Sequence, residues 1–310
     1  MRGKHLFTFF LLFIVFCFRM GVYGSIHWDK DKSTISTDLI TIRFCSRRPY
    51  YMIWHNKEPN VKYFMEIRRL IEFIDENNNG VLDNKDTMVA TANLESKIWE
   101  FRYDTTVVNQ SSVTILTLEA DIPVIYMQHG YGRRNVAVRI LNYISEEDTY
   151  LYNESLRGLS EVRTLINIAT WPWRHDESRI QMEVIFGIKH MTHKIRSIRE
   201  CRGRYNIEIG GDSSSYMYLN ISEKVLINDN LVDGAILVTN NSVGINVPHF
   251  RSNITVEMTM GVSLIEELAK FESVDYGVVG GILSVSVIIL VGSIVYTKKK
   301  IGEALKIVES

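Results

Sequence analysis

The chain has 310 residues, 46% hydrophobic and 23% charged, a composition that suits a packed core and excludes a disordered or collagen-like chain. Its 35 Lys and Arg against 36 Asp and Glu leave a net charge of -1, so no basic excess is available to neutralise a nucleic-acid backbone. Three cysteines and five prolines exclude a disulfide-dense mini-scaffold, a multi-cysteine zinc module and a proline-rich stalk.

The beginning of the chain follows the export pattern. Arg2 and Lys4 precede an apolar run from Leu6 to Phe18, and Gly24 puts a small residue at a cleavage point. The run is shorter than the ~20 residues a bilayer crossing needs. A signal peptide is therefore expected over residues 1–24, with the mature chain starting at Ser25.

From Ser25 to Asp275 the pattern is mostly period two. Short segments rich in β-branched and aromatic residues predict strands at Asp38–Phe44, Ser112–Glu119, Val136–Leu141, Val162–Ala169, Arg179–Phe186, Met217–Ile221, Ala235–Val238, Val243–Val247 and Ile254–Met260. Arg179–Phe186 alternates most cleanly, with Ile180, Met182, Val184 and Phe186 on one face. Many short strands separated by turn residues imply an antiparallel β-sandwich, one large or two packed. Val61–Ile74 fits both periods: Tyr63, Met65, Ile67 and Ile71 suit a strand, whereas Phe64, Ile67, Ile71 and Ile74 suit a helix.

The segment Asp75–Asp86 has oxygen side chains at positions 1, 3, 5, 9 and 12 of a loop with glycine at position 6. That spacing wraps a hard cation, here Ca²⁺, through Asp75, Asn77, Asn79, the carbonyl of Val81, Asp83 and Asp86. Asp86 stands where a longer glutamate would complete an EF-hand loop, as in dockerin-type and other extracellular calcium loops. The plain alternative is an Asn- and Gly-rich turn, which favours the same residues.

Cys45 and Cys201 are the cysteines of the mature chain, since Cys17 leaves with the signal peptide, and an oxidising compartment pairs them in a disulfide. Asn-x-Ser/Thr sequons at Asn109, Asn153, Asn220, Asn240 and Asn253 predict glycosylation of an exported surface. Trp171-Pro172-Trp173 offers either an aromatic platform for a ligand or, by the more common use of paired tryptophans, a sandwich edge or core. His190 and His193 are spaced to share a metal, but no acidic third ligand stands at a recognisable spacing. No nucleophile elbow, zinc-protease helix, phosphate loop or paired-cysteine redox motif is present, so no catalytic residue is assigned and the chain is expected not to be an enzyme.

Near the end of the chain, Ser263-Leu264-Ile265-Glu266 has capping-box spacing and predicts a short helix leading to a span. Tyr276–Tyr296 carries no charge, and its 21 residues would reach ~31 Å as a helix, the thickness of a hydrocarbon core. Lys298, Lys299 and Lys300 follow, which places residues 25–275 outside and the tail 297–310 in the cytoplasm. Gly277 and Gly281 are spaced four apart, which suits either the ordinary use of glycine in spans or a close-approach face for a homodimer.

The run Leu70–Ile74 into the Asp75–Asp86 loop, followed by Ile166–Trp173 and the Arg179–Phe186 segment, resembles an uncharacterised family of exported, single-pass extracellular proteins. That family is of marine-invertebrate and archaeal type, similar in setting to coral skeletal-matrix proteins. The resemblance covers Val61–Met260, implies a strand for the segment before the loop, and brings no known activity.

The expected fold class is therefore mostly β: an antiparallel β-sandwich ectodomain plus one C-terminal transmembrane α-helix. The expected function is that of a glycosylated, type I cell-surface protein with a calcium-stabilised ectodomain, serving adhesion, extracellular-matrix contact or binding of a protein or glycan ligand. A membrane-tethered extracellular hydrolase and a protein shed into an extracellular or mineral matrix are the alternatives.

Overall fold

The computed structural model describes residues 25–30, 33–45, 47–96, 99–127, 134–151 and 154–265. The expected signal peptide (1–24), the sequon at Asn153, the span 276–296 with Gly277 and Gly281, and the tail 297–310 lie outside them. Almost all of what is described belongs to one compact unit that ends at Ser263.

The strands, in chain order, are β1 (His27–Asp29), β2 (Thr34–Ser36), β3 (Ile40–Phe44), β4 (Tyr50–His55), β5 (Tyr63–Ile74), β6 (Thr87–Asn93) and β7 (Glu100–Val108). The long central pair β8 (Ser111–Tyr126) and β9 (Arg134–Ser145) is followed by β10 (Thr149–Leu151), β11 (Glu154–Leu156), β12 (Glu161–Ile168) and β13 (Arg179–Ile188). Then come β14 (Lys194–Glu200), β15 (Arg204–Gly210), β16 (Ser215–Ser222), β17 (Lys224–Ile227), β18 (Asn230–Asp233), β19 (Ala235–Val238), β20 (Ser242–Val247) and β21 (Ile254–Leu264). All nine segments expected as strands are strands, and so is the ambiguous Val61–Ile74, which supplies β5.

Nineteen strands are hydrogen-bonded into one antiparallel sheet with two arms. One arm runs β1-β2-β3-β4-β5-β13-β20-β19, and the other runs β7-β8-β9-β12-β21-β16-β15-β14. β6 joins them, pairing with β5 on one side and with β8 on the other. The arms share one core, because Ile42, Met65, Met182 and Ile245 of the first are buried in the same apolar cluster as Leu118, Ile140, Ile166 and Met258 of the second. Each such side chain contributes about 1.5–3 kcal/mol by leaving water. The polar seam between the arms is bonded too: Tyr63 on β5 donates its hydroxyl to the carbonyl of Ser215 on β16 at 2.7 Å.

The C-terminal helix in the expected fold class needs correction. Among the described residues no helix is long and apolar enough to cross a membrane. Ser263 and Leu264, expected to open a helix, instead end β21, where Met258, Met260, Val262 and Leu264 are buried at alternate positions along the strand. Period-two burial against the sheet keeps Ser263 and Leu264 in the strand, and the residues after Ile265 lie outside the described ones. The regular secondary structure of the described residues is strand apart from the 3₁₀ turn Leu94–Ser96 and the single helical residue Ile265.

Candidate functional site

The outer face of the second arm carries a cleft, and cross-strand register builds it. Antiparallel pairing puts Glu100 opposite Glu119, Glu119 opposite Arg139, Arg139 opposite Asn167, and Asn167 opposite Thr255. Five strands thus contribute one polar row. In the next row Asp121 faces Ala137, and the Ala169 amide donates to the Ala137 carbonyl at 2.9 Å. The β12–β21 ladder ends at the Ile168–Ile254 pair, and Ala169 and Asn253 are the residues next beyond that pair. The two alanines are too short to fill their row, so a cleft of about 650 Å³ opens between Asp121 and Asn253.

The cleft walls are preset by internal bonds. Arg139 Nε lies 2.7 Å from Glu119 Oε1, and Arg102 Nη2 reaches Glu100 and Glu119 at 3.3 and 3.5 Å. Thr255 donates its hydroxyl to Asn167 Oδ1 at 2.7 Å, leaving the amide N–H groups of Asn167 free of other partners among the described residues. Asp121 and Asn253 are exposed and make no side-chain hydrogen bond among the described residues. Chemically the cleft offers carboxylates, one guanidinium, amides and a hydroxyl over a small apolar floor, a donor and acceptor set suited to a polar ligand.

Two rows further along the same face the surface turns apolar and is covered. The hairpin β10–β11 lays Leu151 and Leu156 on Val113, Tyr143 and Leu165, a second small core. Beneath it Arg163, 1% exposed, pairs with Glu257 at 2.6 Å and donates to the carbonyl of Leu151. The cleft is the part of the face that the hairpin leaves uncovered.

The Asp75–Asp86 segment is the connection between β5 and β6, flanked by strands and not by helices. Its side chains do fold inward. Asp75 accepts the amides of Asn79 and Gly80 at 3.1 and 2.8 Å, and Asp86 accepts those of Glu76 and Asp83 at 3.1 and 2.7 Å. Asn77 and Asn79 both donate Nδ2 to Asp83 Oδ2, at 2.9 and 2.8 Å, and each accepts a backbone amide through Oδ1. Gly80 supplies the turn at φ +81°. The Lys85 amide, then the Asn77 side chain, hold the Asp83 carboxyl below its ordinary value. Among the described residues no three of His, Cys, Asp and Glu gather closely enough to hold a metal by themselves. The expected set combines the carboxylates of Asp75, Asp83 and Asp86 with amide and carbonyl oxygens, and Asn77 and Asn79 Oδ1 each keep a second lone pair.

The remaining predicted residues are dispersed. Cys45 follows β3 and Cys201 lies in the turn between β14 and β15; both are free thiols, so the expected bridge is not formed. Of the sequons, Asn109, Asn240 and Asn253 are exposed, Asn220 is half-buried within β16, and only Asn253 belongs to the cleft. His190 is an exposed turn residue at φ 60°, while His193 packs edge-on to Phe186 at 6.3 Å. Trp171 is 1% exposed, with its indole donating to Glu72 at 2.9 Å, and Trp173 stacks on His249 at 4.2 Å. The Trp-Pro-Trp segment is thus core and edge, not a platform.

Sequence reasoning missed Glu72 and the cleft. Glu72 is fully buried on β5 and takes both the Trp171 indole and the Arg174 amide, the latter at 3.0 Å. Burial raises the Glu66 carboxyl, with Arg48 opposing and Glu95 adding to the rise, but Glu66 does not line the cleft. No protein-family model matches the chain, and no curated protein matches it.

Proposed function

We propose that the protein is an exported, glycosylated binding protein that recognises a polar extracellular ligand in the cleft over Ala137 and Ala169. The carrying observation is the in-register row Glu100–Glu119–Arg139–Asn167–Thr255, whose polar groups converge on an open hollow. Strands fix these side chains from five separate positions along the backbone, so little order is lost when a ligand binds, and preorganisation of this kind favours recognition. Support for export comes from the leader pattern and from the sequons, three of which lie on exposed residues.

In this account the Asp75–Asp86 loop holds one Ca²⁺ and serves as a clamp on the β5–β6 connection. Asp75, Asp83 and Asp86 would offset the charge, with Asn77, Asn79 and the Val81 carbonyl completing the shell. Weak affinity, on the order of 10⁻⁴ to 10⁻³ M, would still keep the site filled outside a cell.

The test is a binding screen of the full chain against arrays of immobilised glycans and extracellular-matrix proteins, in calcium. A ligand whose binding is lost on Arg139→Ala is the expected result. Absence of any ligand for the wild-type chain and for Asn253→Gln alike, or a ligand indifferent to Arg139, overturns the cleft as the binding site.

A further inference from the structure

Asn253 is both a sequon asparagine and a wall of the cleft, and no other described sequon shares that position. Its side chain is exposed and has no hydrogen-bond partner among the described residues, and residue 255 of the same sequon contributes a hydroxyl to the lining. Between Asn253 and the opposite wall, Asp121, stand three inter-strand spacings, roughly 14 Å between Cα atoms. Only the two alanine side chains rise between them.

From this placement, and resting on the exported and cleft-binding readings above, we propose that an N-glycan on Asn253 folds back into the cleft and closes it. Chains bare at Asn253 bind ligand and chains glycosylated there do not, whatever the other sites carry. The chemistry is complementary, because a sugar presents hydroxyl donors and acceptors around its rim and the cleft presents the carboxylate of Asp121, the guanidinium of Arg139 and the free amide of Asn167. The tether decides the competition. A group attached at the wall reaches the hollow at an effective concentration in the millimolar range, so contacts too weak to hold a free sugar suffice to hold this one. A free ligand has to bind tighter than that to displace it.

The geometry also separates Asn253 from the other sites. Asn240 lies in the turn between β19 and β20, and Asn109 in the turn between β7 and β8, where its Nδ2 donates to the Tyr150 carbonyl at 3.0 Å. Asn220 sits on β16 opposite Asn206. None of these residues lines the cleft. Among the described sequons, occupancy at Asn253 alone would therefore set how much of the protein is competent, and the control is written during export, before any ligand is met.

The experiment needs no ligand. The full chain is expressed in a glycosylating host alongside Asn253→Gln, and both are treated with a water-soluble carbodiimide and glycine ethyl ester. Modified carboxyls are then located by peptide mass spectrometry. Asp121 is expected to lose labelling in the glycosylated chain relative to Asn253→Gln, whereas Asp229, exposed in the turn between β17 and β18, labels equally in both. If Asn253→Gln does not fold, trimming the wild-type glycan with an endoglycosidase is expected to restore labelling of Asp121. An unmodified Asn253 in that host, or Asp121 labelling that ignores the glycan, overturns the proposal. The binding reading fails separately: a chain that shows the Asp121 effect and yet finds no ligand in either form keeps the glycan contact and loses the function assigned to the cleft.

Discussion

Trp171→Phe separates a structural tryptophan from a ligand platform. In the fold the Trp171 indole donates to Glu72 Oε2, and the carboxylate is completely buried, its other oxygen held by the Arg174 amide. Phenylalanine keeps most of the apolar ring and removes that donor. Leaving a buried acceptor unsatisfied costs about 1–3 kcal/mol, and the smaller ring adds about 1 kcal/mol of lost packing. A total of about 3 kcal/mol is a large part of the ~5–15 kcal/mol by which domains are stable. For a domain of this size it lowers Tm by roughly 6–12 °C. Glu72→Gln keeps one acceptor oxygen and so loses one of the two bonds, to the indole or to the Arg174 amide, and it should cost about 2 kcal/mol. The double variant should lose less than the sum of the two, since both changes break one contact. Urea unfolding followed by circular dichroism gives all three values if the slope m is unchanged. A Trp171→Phe protein within about 0.5 kcal/mol of wild type would refute the buried-acceptor account and return the tryptophan to the surface.

Calcium at ten times its dissociation constant should add about 1.4 kcal/mol to stability, visible as a higher Tm than in chelator, and Asp75→Ala should abolish the difference; identical melting curves for wild type would reduce the loop to a plain turn. Because the Glu66 carboxyl is raised, its protonated form is the one the fold favours. The stability of wild type relative to Glu66→Gln should therefore be greatest below pH 4.5 and decline as pH rises through the raised value, and a flat difference across that window would contradict it. Alkylation of the denatured, unreduced protein should modify both Cys45 and Cys201, as free thiols require; protection of both until reductant is added would restore the bridge.

Nine of the twenty-one described strands were legible because burial on one face writes a period of two into the sequence. Ala235–Val238 was bounded to the residue, and Val136–Leu141 was found as the middle of the longer β9. Edge strands escaped for the same physical reason. β7 is exposed at nearly every position and β14 carries Lys194, Arg196, Arg199 and Glu200, so neither shows an apolar face. Val61–Ile74 was ambiguous because β5 is central and buried on both sides, which fills the apolar positions of either period. The cleft was not legible at all. It depends on the register among β7, β8, β9, β12 and β21, whose residues are far apart in the chain, and on two alanines whose shortness matters only beside their neighbours. The glycine and oxygen pattern of Asp75–Asp86 was legible because a turn is local, although its flanking strands are set by pairing across the sheet.

Filling the hollow tests the central claim most directly. Ala137 is exposed on β9, so Ala137→Trp adds an indole to the cleft floor without entering the core, and folding stability should change little. With Asn253→Gln as the background, to keep the site free of any glycan, the ligand found by the array screen is titrated calorimetrically against the chain with and without Ala137→Trp. The account predicts that affinity falls at least about tenfold, or ~1.4 kcal/mol, with the melting temperature held. An unchanged dissociation constant in a folded Ala137→Trp protein would mean that the ligand binds elsewhere.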